Sequence, residues 1–284
     1  MKDYIELTKP RITWLILMSA GVGYFFGMRG AGVHWLVLFH AVLGTGLMAS
    51  GTATLNEWYE READAKMRRT RMRPIPSGRV APSRALAFGI ALSIAGFLDL
   101  LFGANAVAAW WGLATLATYL FLYTPLKQYT PHATTVGAFP VAMPPLIGFA
   151  AAAGRLTAEA WALFAILFLW QFPHFLSIAW MYREDYGRAG IVMLPVVEPD
   201  GKATARRIVL CSLLLIPVSL APSYLSMAGR VYLFGALALG LALLYTGLRV
   251  AFDRTALRAR AVLLASVVYL PLLYGLMLLD RPWL

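Results

Sequence analysis

The stretch NEWYEREADAKMRRTRMRP, Asn56 to Pro74, places four acids and six bases in a chain of 284 residues that is 60% hydrophobic and 14% charged. It lies between two apolar runs, and it is not the only polar break of that kind. A chain this apolar is outside the range of soluble globular domains. Its apolar residues come in runs of about 20, the length that crosses a hydrocarbon core of about 30 Å. The runs are Ile12–Met28, His34–Asn56, Ser83–Phe102, Asn105–Tyr123, Thr134–Ala153, Glu159–Tyr182, Ile208–Ser226, Val231–Val250 and Ala259–Leu279. The sequence therefore predicts an all-α integral membrane protein with nine transmembrane helices in a single domain, residues 1–284. No small-residue cleavage site follows the first run and eight more runs come after it, so it reads as a span and not as a signal peptide. No Arg/Ser-rich leader precedes it, which points to the plasma membrane of a prokaryote.

The net charge of +11 invites a nucleic-acid reading, but the bases are distributed by side. With nine spans, the N-terminal tail and the loops after even-numbered spans share one side, and that side holds 21 of the 25 lysines and arginines. The other side holds Arg29, Arg155, Arg230 and Arg281. Positive charge marks the cytoplasmic side. The N-terminus is thus expected in the cytoplasm and the C-terminus outside, with no nucleic-acid partner. Cys211 is the only cysteine and falls within a span, so neither a disulfide framework nor a thiolate metal site is expected. The two long polar segments, Glu57–Pro82 and Arg183–Arg207, follow the second and sixth runs, a spacing that fits two related halves.

Within the opening stretch, Asn56, Glu60 and Asp64 recur at every fourth position, so a helix carries them on one face over about 12 Å. Oxygen ligands spaced this way suit Mg²⁺, which takes one or two carboxylates with water and phosphate oxygens. Arg69, Thr70 and Arg73 follow, and guanidinium forks recognise phosphate bidentately. Acids for Mg²⁺ beside arginines for phosphate describe a diphosphate site. The plainer alternative is a solvated loop whose acids and bases pair with each other. Two further stretches fall on the same side. YTPLK sets Tyr123 and Lys127 four residues apart. In WQFPHFLSIAWMYREDYGRAG, the residues Gln171, His174, Ile178, Tyr182 and Asp185 follow a helical rhythm. A stripe of Gln, His and Tyr is costly against lipid and is expected to face a cavity, unless it serves hydrogen bonding between helices.

At these residues the chain resembles the UbiA superfamily of intramembrane prenyltransferases. The general pattern is matched at Asn56, Asp64, Arg69, Thr70, Arg73, Pro74, Tyr123 and Lys127. TKPRIT near the start, WQFPHF, and YREDYGRAGIVMLPVV resemble, more narrowly, the branch that farnesylates protohaem. The segments lie far apart and together cover most of the chain. Glu60 stands where Asp is usual, which lengthens the ligand by a methylene. Glu184-Asp185 is a compact pair where many quinone-pathway relatives space their acids four apart.

The resemblance implies a bundle of nine helices around a central cavity capped by cytoplasmic loops. It also implies transfer of a farnesyl group from farnesyl diphosphate to a vinyl group of haem b, with water adding, to give haem o for terminal oxidases. The residues and the resemblance together place catalysis at Asn56, Glu60, Asp64, Tyr123 and Lys127. Substrate contacts are expected from Arg69, Arg73, Lys127, His174, Arg183, Glu184 and Asp185, and Mg²⁺ ligation from Asn56, Glu60, Asp64 and Asp185, with Glu184 and Asp185 the place for a second ion. Tyr123 is expected to face the allylic cation. His174 is a candidate for haem iron or a propionate, with a packing role as its alternative. Expected partners are farnesyl diphosphate, haem b, the bilayer, and a haem-handling protein such as a haem a synthase. A prenyltransferase acting on a quinone precursor or another aromatic acceptor is the second reading. A transporter, which would carry charges near mid-membrane, fits less well.

Overall fold

The computed structural model describes residues 1–28 and 32–281; Arg29, one of the four bases expected on the outer side, lies outside them. Every regular element among the described residues is helical. In chain order these are α1 (Lys2–Leu7), α2 (Pro10–Gly27), α3 (Trp35–Lys66), α4 (Pro82–Gly103), α5 (Ala106–Ala117), a π-helical turn (Thr118–Tyr123) and α6 (Thr124–Leu126). There follow α7 (Ala133–Ala142), α8 (Pro144–Ala153), α9 (Ala158–Met181), α10 (Arg183–Arg188), α11 (Leu194–Val197), α12 (Lys202–Tyr224), α13 (Arg230–Phe252) and α14 (Ala256–Leu279).

Eight of these segments are long and apolar enough to cross a membrane, counting α5 to α6 as one and α7 with α8 as another. The remaining expected span is α2, whose 18 residues open on Pro-Arg and include three glycines. It falls short of the same measure of apolarity, and one of its faces packs on backbone. A Cβ at Gly23 would collide with the Pro145 carbonyl, and one at Gly148 with that of Ala20. Only glycine lets α2 and α8 approach this closely, as at other small-residue crossings in membranes. Prolines bend the wall here: Pro144 and Pro145 restart the helix as α8 after Met143.

α7, α8 and α9 are the most enclosed segments, while α4, α12 and α13 present apolar flanks outward. Phe102, Leu213 and Phe234 are exposed on those flanks, as lipid-facing residues are. α3 and α4 lie face to face over Gly44, Gly51, Gly89 and Gly96. α3 is the longest helix at 32 residues and runs ten positions beyond Asn56, so the first polar segment begins as helix and not as loop. The stripe expected along the sixth run is interrupted: α9 ends at Met181, Tyr182 leaves the helical conformation and α10 begins at Arg183. Asp185 therefore does not continue the register of His174.

Candidate active site

Beyond α3 the chain turns back on itself. Met67 is extended, and the Thr70 hydroxyl donates to the Asp64 carbonyl at 3.0 Å, satisfying one of the carbonyls a helix end leaves open. This return brings Arg73 against the helix that precedes it. Its Nη1 donates to Asp64 Oδ2 at 2.7 Å, and its Nε lies 3.6 Å from Glu57 Oε1.

A second base arrives from the π-helical turn. The Tyr119 carbonyl accepts the Thr124 amide of the wider turn and also the Thr124 hydroxyl, which donates to it at 2.8 Å and accepts from Asn56 Nδ2 at 3.2 Å. Lys127 Nζ then donates to Glu60 Oε1 at 2.8 Å and stands 4.4 Å over the Tyr123 ring. Tyr119 and Tyr123 meet edge to face with centroids 5.0 Å apart. Gly137 opposite makes the room, since a Cβ there would run into the Tyr123 ring. Single π turns are frequent at functional sites.

A third base comes from the N-terminal segment. Lys9 Nζ donates to Asn56 Oδ1 at 3.1 Å and is 3.7 Å from Glu57 Oε1. Asn56, Glu57, Glu60 and Asp64 are all buried, none more than 8% exposed. Carboxylates are not buried without partners, and each of these three has a base of its own. Two oxygens are nevertheless left over: Asp64 Oδ1 and Glu57 Oε2 are buried without a hydrogen-bond partner. Burial and then the Arg73 charge lower the Lys9 ammonium to about 8, against the pull of Glu57. Burial opposes the charge on Lys127 too, but the Glu60 carboxylate outweighs it and holds that ammonium well above its usual range.

The second acidic segment meets the same loop. Asp185 is buried; its Oδ2 accepts from the Arg69 amide at 3.2 Å, and its Oδ1 pairs with Arg188. The Arg69 guanidinium lies over the Tyr182 and Tyr186 rings, at 5.2 and 5.8 Å, and donates to the Tyr186 hydroxyl. The Val192 amide donates to the Lys127 carbonyl at 2.7 Å, joining the second polar segment to the YTPLK turn. Glu184 is exposed. Arg183 turns to Trp180, stacking at 4.5 Å and donating to its carbonyl. Among the described residues no three His, Cys, Asp or Glu converge as a set able to hold a metal ion, because the acids lean on their bases.

Beneath the cluster is a cavity of about 160 Å³ whose wall includes Lys9, Met48, Tyr119, Tyr123, Pro144 and Phe175. Phe175, and not His174, reaches it; one residue along a helix turns the side chain by about 100°. The expected inward stripe is therefore corrected. Gln171 Nε2 donates to the Ala138 carbonyl at 2.8 Å, and His174 Nδ1 is 3.0 Å from Ser266 Oγ on α14. His174 also stacks on Trp170 with centroids 4.8 Å apart. Sequence reasoning passed over Lys9, Glu57, Tyr119 and Thr124. A lysine at the mouth of an apolar run and an acid next to Asn56 were the available signals for the first two.

A buried acid–base cluster above an apolar cavity in a helical membrane bundle is the architecture of an intramembrane prenyltransferase. The model of the UbiA prenyltransferase family matches residues 16–279, and the chain belongs to that family; it is a multi-pass membrane protein. It is 66% identical over the whole of both chains to a protein of Solibacter usitatus named protoheme IX farnesyltransferase. It is 50% identical to one of that name from Koribacter versatilis, over 99% of this chain and 94% of that one. A solved digeranylgeranylglyceryl phosphate synthase superposes with a TM-score of 0.82 at 18% identity, over 100% of this chain and 99% of the other. A UbiA homologue from Archaeoglobus fulgidus, bound to DMAPP and Mg²⁺, superposes with a TM-score of 0.68 at 16% identity, over 97% and 99%.

Proposed function

We propose that the chain transfers a farnesyl group from farnesyl diphosphate to a vinyl group of haem b, with addition of water, to give haem o. The observation that carries the diphosphate half is the set of buried acids interleaved with Lys9, Arg73 and Lys127 at the head of an apolar cavity. The acceptor follows from the name shared by relatives that match the full length at up to 66% identity.

The residues fit Mg²⁺. Asp64 keeps a buried oxygen with no partner, and Asn56 Oδ1 already faces a cation in Lys9. Asn56, Glu60 and Asp64 would hold the ion, with Asp185 contributing from α10. Bound there, Mg²⁺ would supply neutralisation of the diphosphate charge. The chain's own part is to orient and stabilise. Arg69, Arg73 and Lys127 hold the diphosphate as the allylic carbon–oxygen bond breaks and the electron pair leaves with it, the kind of developing charge that preorganised donors favour. Tyr123 offers its ring face to the allylic cation. The vinyl π electrons form the new carbon–carbon bond, and water adds to the resulting cation beside the porphyrin with loss of a proton. Apolar walls keep other water from the farnesyl cation. The base-rich end would face the cytoplasm of a prokaryotic cell by the positive-inside rule, and the product would pass to a haem-handling partner such as a haem a synthase.

The test is to incubate purified protein with haem b, farnesyl diphosphate and Mg²⁺ and to measure the product mass. A mass equal to haem b plus a farnesyl group and water supports the reading. Prenylation of an aromatic quinone precursor, with haem b left untouched, would replace it.

A further inference from the structure

Lys9 is placed at some conformational expense. It joins α1 to Pro10 with φ at 49°, a left-handed backbone that residues with a Cβ seldom adopt and that collects at functional sites. Its charge has no partner in its own segment. The ammonium reaches Asn56 and Glu57, 47 and 48 positions away, and Lys9 is the one charged residue among those lining the central cavity.

The clamp that holds it is built of residues with no other evident task. Leu7 is fully buried against Ile75, Val80 and Ala85, and the Thr54 hydroxyl donates to the Leu7 carbonyl at 3.4 Å. Arg79 gathers Asp3, both oxygens of Glu6 and the Met72 carbonyl. Met72, Ile75 and Arg79 follow or flank Arg73 in the returning loop. One clamp thus fixes Lys9 and Arg73 relative to each other, and Glu57 Oε1 lies between them at 3.7 and 3.6 Å.

We infer that Lys9 is a further substrate-binding residue, contacting the diphosphate on its cavity side at the phosphate nearest the prenyl chain, while Arg73 and Lys127 hold it from the opposite side. This rests on the diphosphate reading of the site. The direction follows from position. Lys9 belongs to the wall along which an apolar chain would lie, and its ammonium points to the polar cluster that would receive the head group. The competing role is that of a counter-ion for Glu57 alone.

Calorimetric titration of farnesyl diphosphate with Mg²⁺ present and haem absent separates the two, because no turnover occurs. Lys9→Met keeps the side-chain length and loses the charge; loss of a charge-assisted contact to the donor should weaken binding by about tenfold or more. The double variant Lys9→Met with Glu57→Gln removes the counter-ion requirement, and it should remain about as weak as the single one. It also carries the test if the single variant does not fold. Donor affinity at the wild-type level in the double variant, or in a folded single variant, would reduce Lys9 to a counter-ion. Failure of the wild type to bind the donor would instead overturn the diphosphate reading itself.

Discussion

The two acidic segments touch the same loop but are constructed in opposite ways. Asn56, Glu57, Glu60 and Asp64 ride on one unbroken helix, α3, and all four are buried. Glu184 and Asp185 sit on a six-residue helix that starts after a break at Tyr182; one of the pair is buried and the other exposed. The geometry of the first set is imposed by helical register. That of the second is imposed by contact, through the Arg69 amide and Arg188. A rigid half and a fitted half result, and substitutions should weigh very differently in the two.

Asp64→Asn should have the largest effect. It removes a charge from the rigid half at the atom that has no partner, and turnover should fall by at least ~100-fold with the protein still in the membrane at matched level. EDTA should silence the wild type, with Mg²⁺ restoring it. Full activity in the variant would remove the first segment from the chemistry.

Arg73→Lys keeps the charge but loses the fork that spans Asp64 and Glu57. The dissociation constant for farnesyl diphosphate, measured by calorimetry, should rise by roughly tenfold. Unchanged affinity would make Arg73 a topological charge only.

His174→Ala probes α9, the helix that leads into the second segment. Ser266 keeps its bond to the Leu263 carbonyl at 2.7 Å, so the loss is confined to the imidazole. Loss of the contact to Ser266 should lower stability by about 1 kcal/mol, read as a fall in thermal midpoint, while haem and donor affinities hold, because the imidazole faces α14 and not the cavity. A fall in haem affinity alone, read from the absorption band, would instead give His174 a part in acceptor binding; loss of both affinities indicates a disturbed helix.

Glu184→Gln should be the mildest, changing turnover by less than about twofold because the side chain lies in solvent. A loss as deep as that of Asp64→Asn would abolish the distinction between the two halves.

What was legible in the sequence is what helical periodicity and hydrophobic length determine. The register of Asn56, Glu60 and Asp64 could be read because a spacing of four fixes a face whatever surrounds it. The spans could be read because their length is set by the bilayer. Other features depend on residues distant in the chain. The Ser266 partner of His174 lies 92 positions away, and nothing in WQFPHF specifies it. The break at Tyr182, which takes Asp185 out of the stripe, arises from tertiary contacts of α10 and not from a proline or glycine. Lys9 reaches the site only because α1 folds against the loop that carries Arg73. The π-helical turn left no periodic mark, since six residues are too few to shift a pattern.

The unbroken course of α3 makes it a ruler. Its 32 residues extend about 48 Å, against a hydrocarbon thickness of about 30 Å, so its polar end stands clear of the lipid. Thr45, on the cavity wall, lies eleven positions before Asn56, a separation of about 16 Å along the rod. Neither mark can move without the other. The polar cluster is therefore held at a set height above the cavity wall.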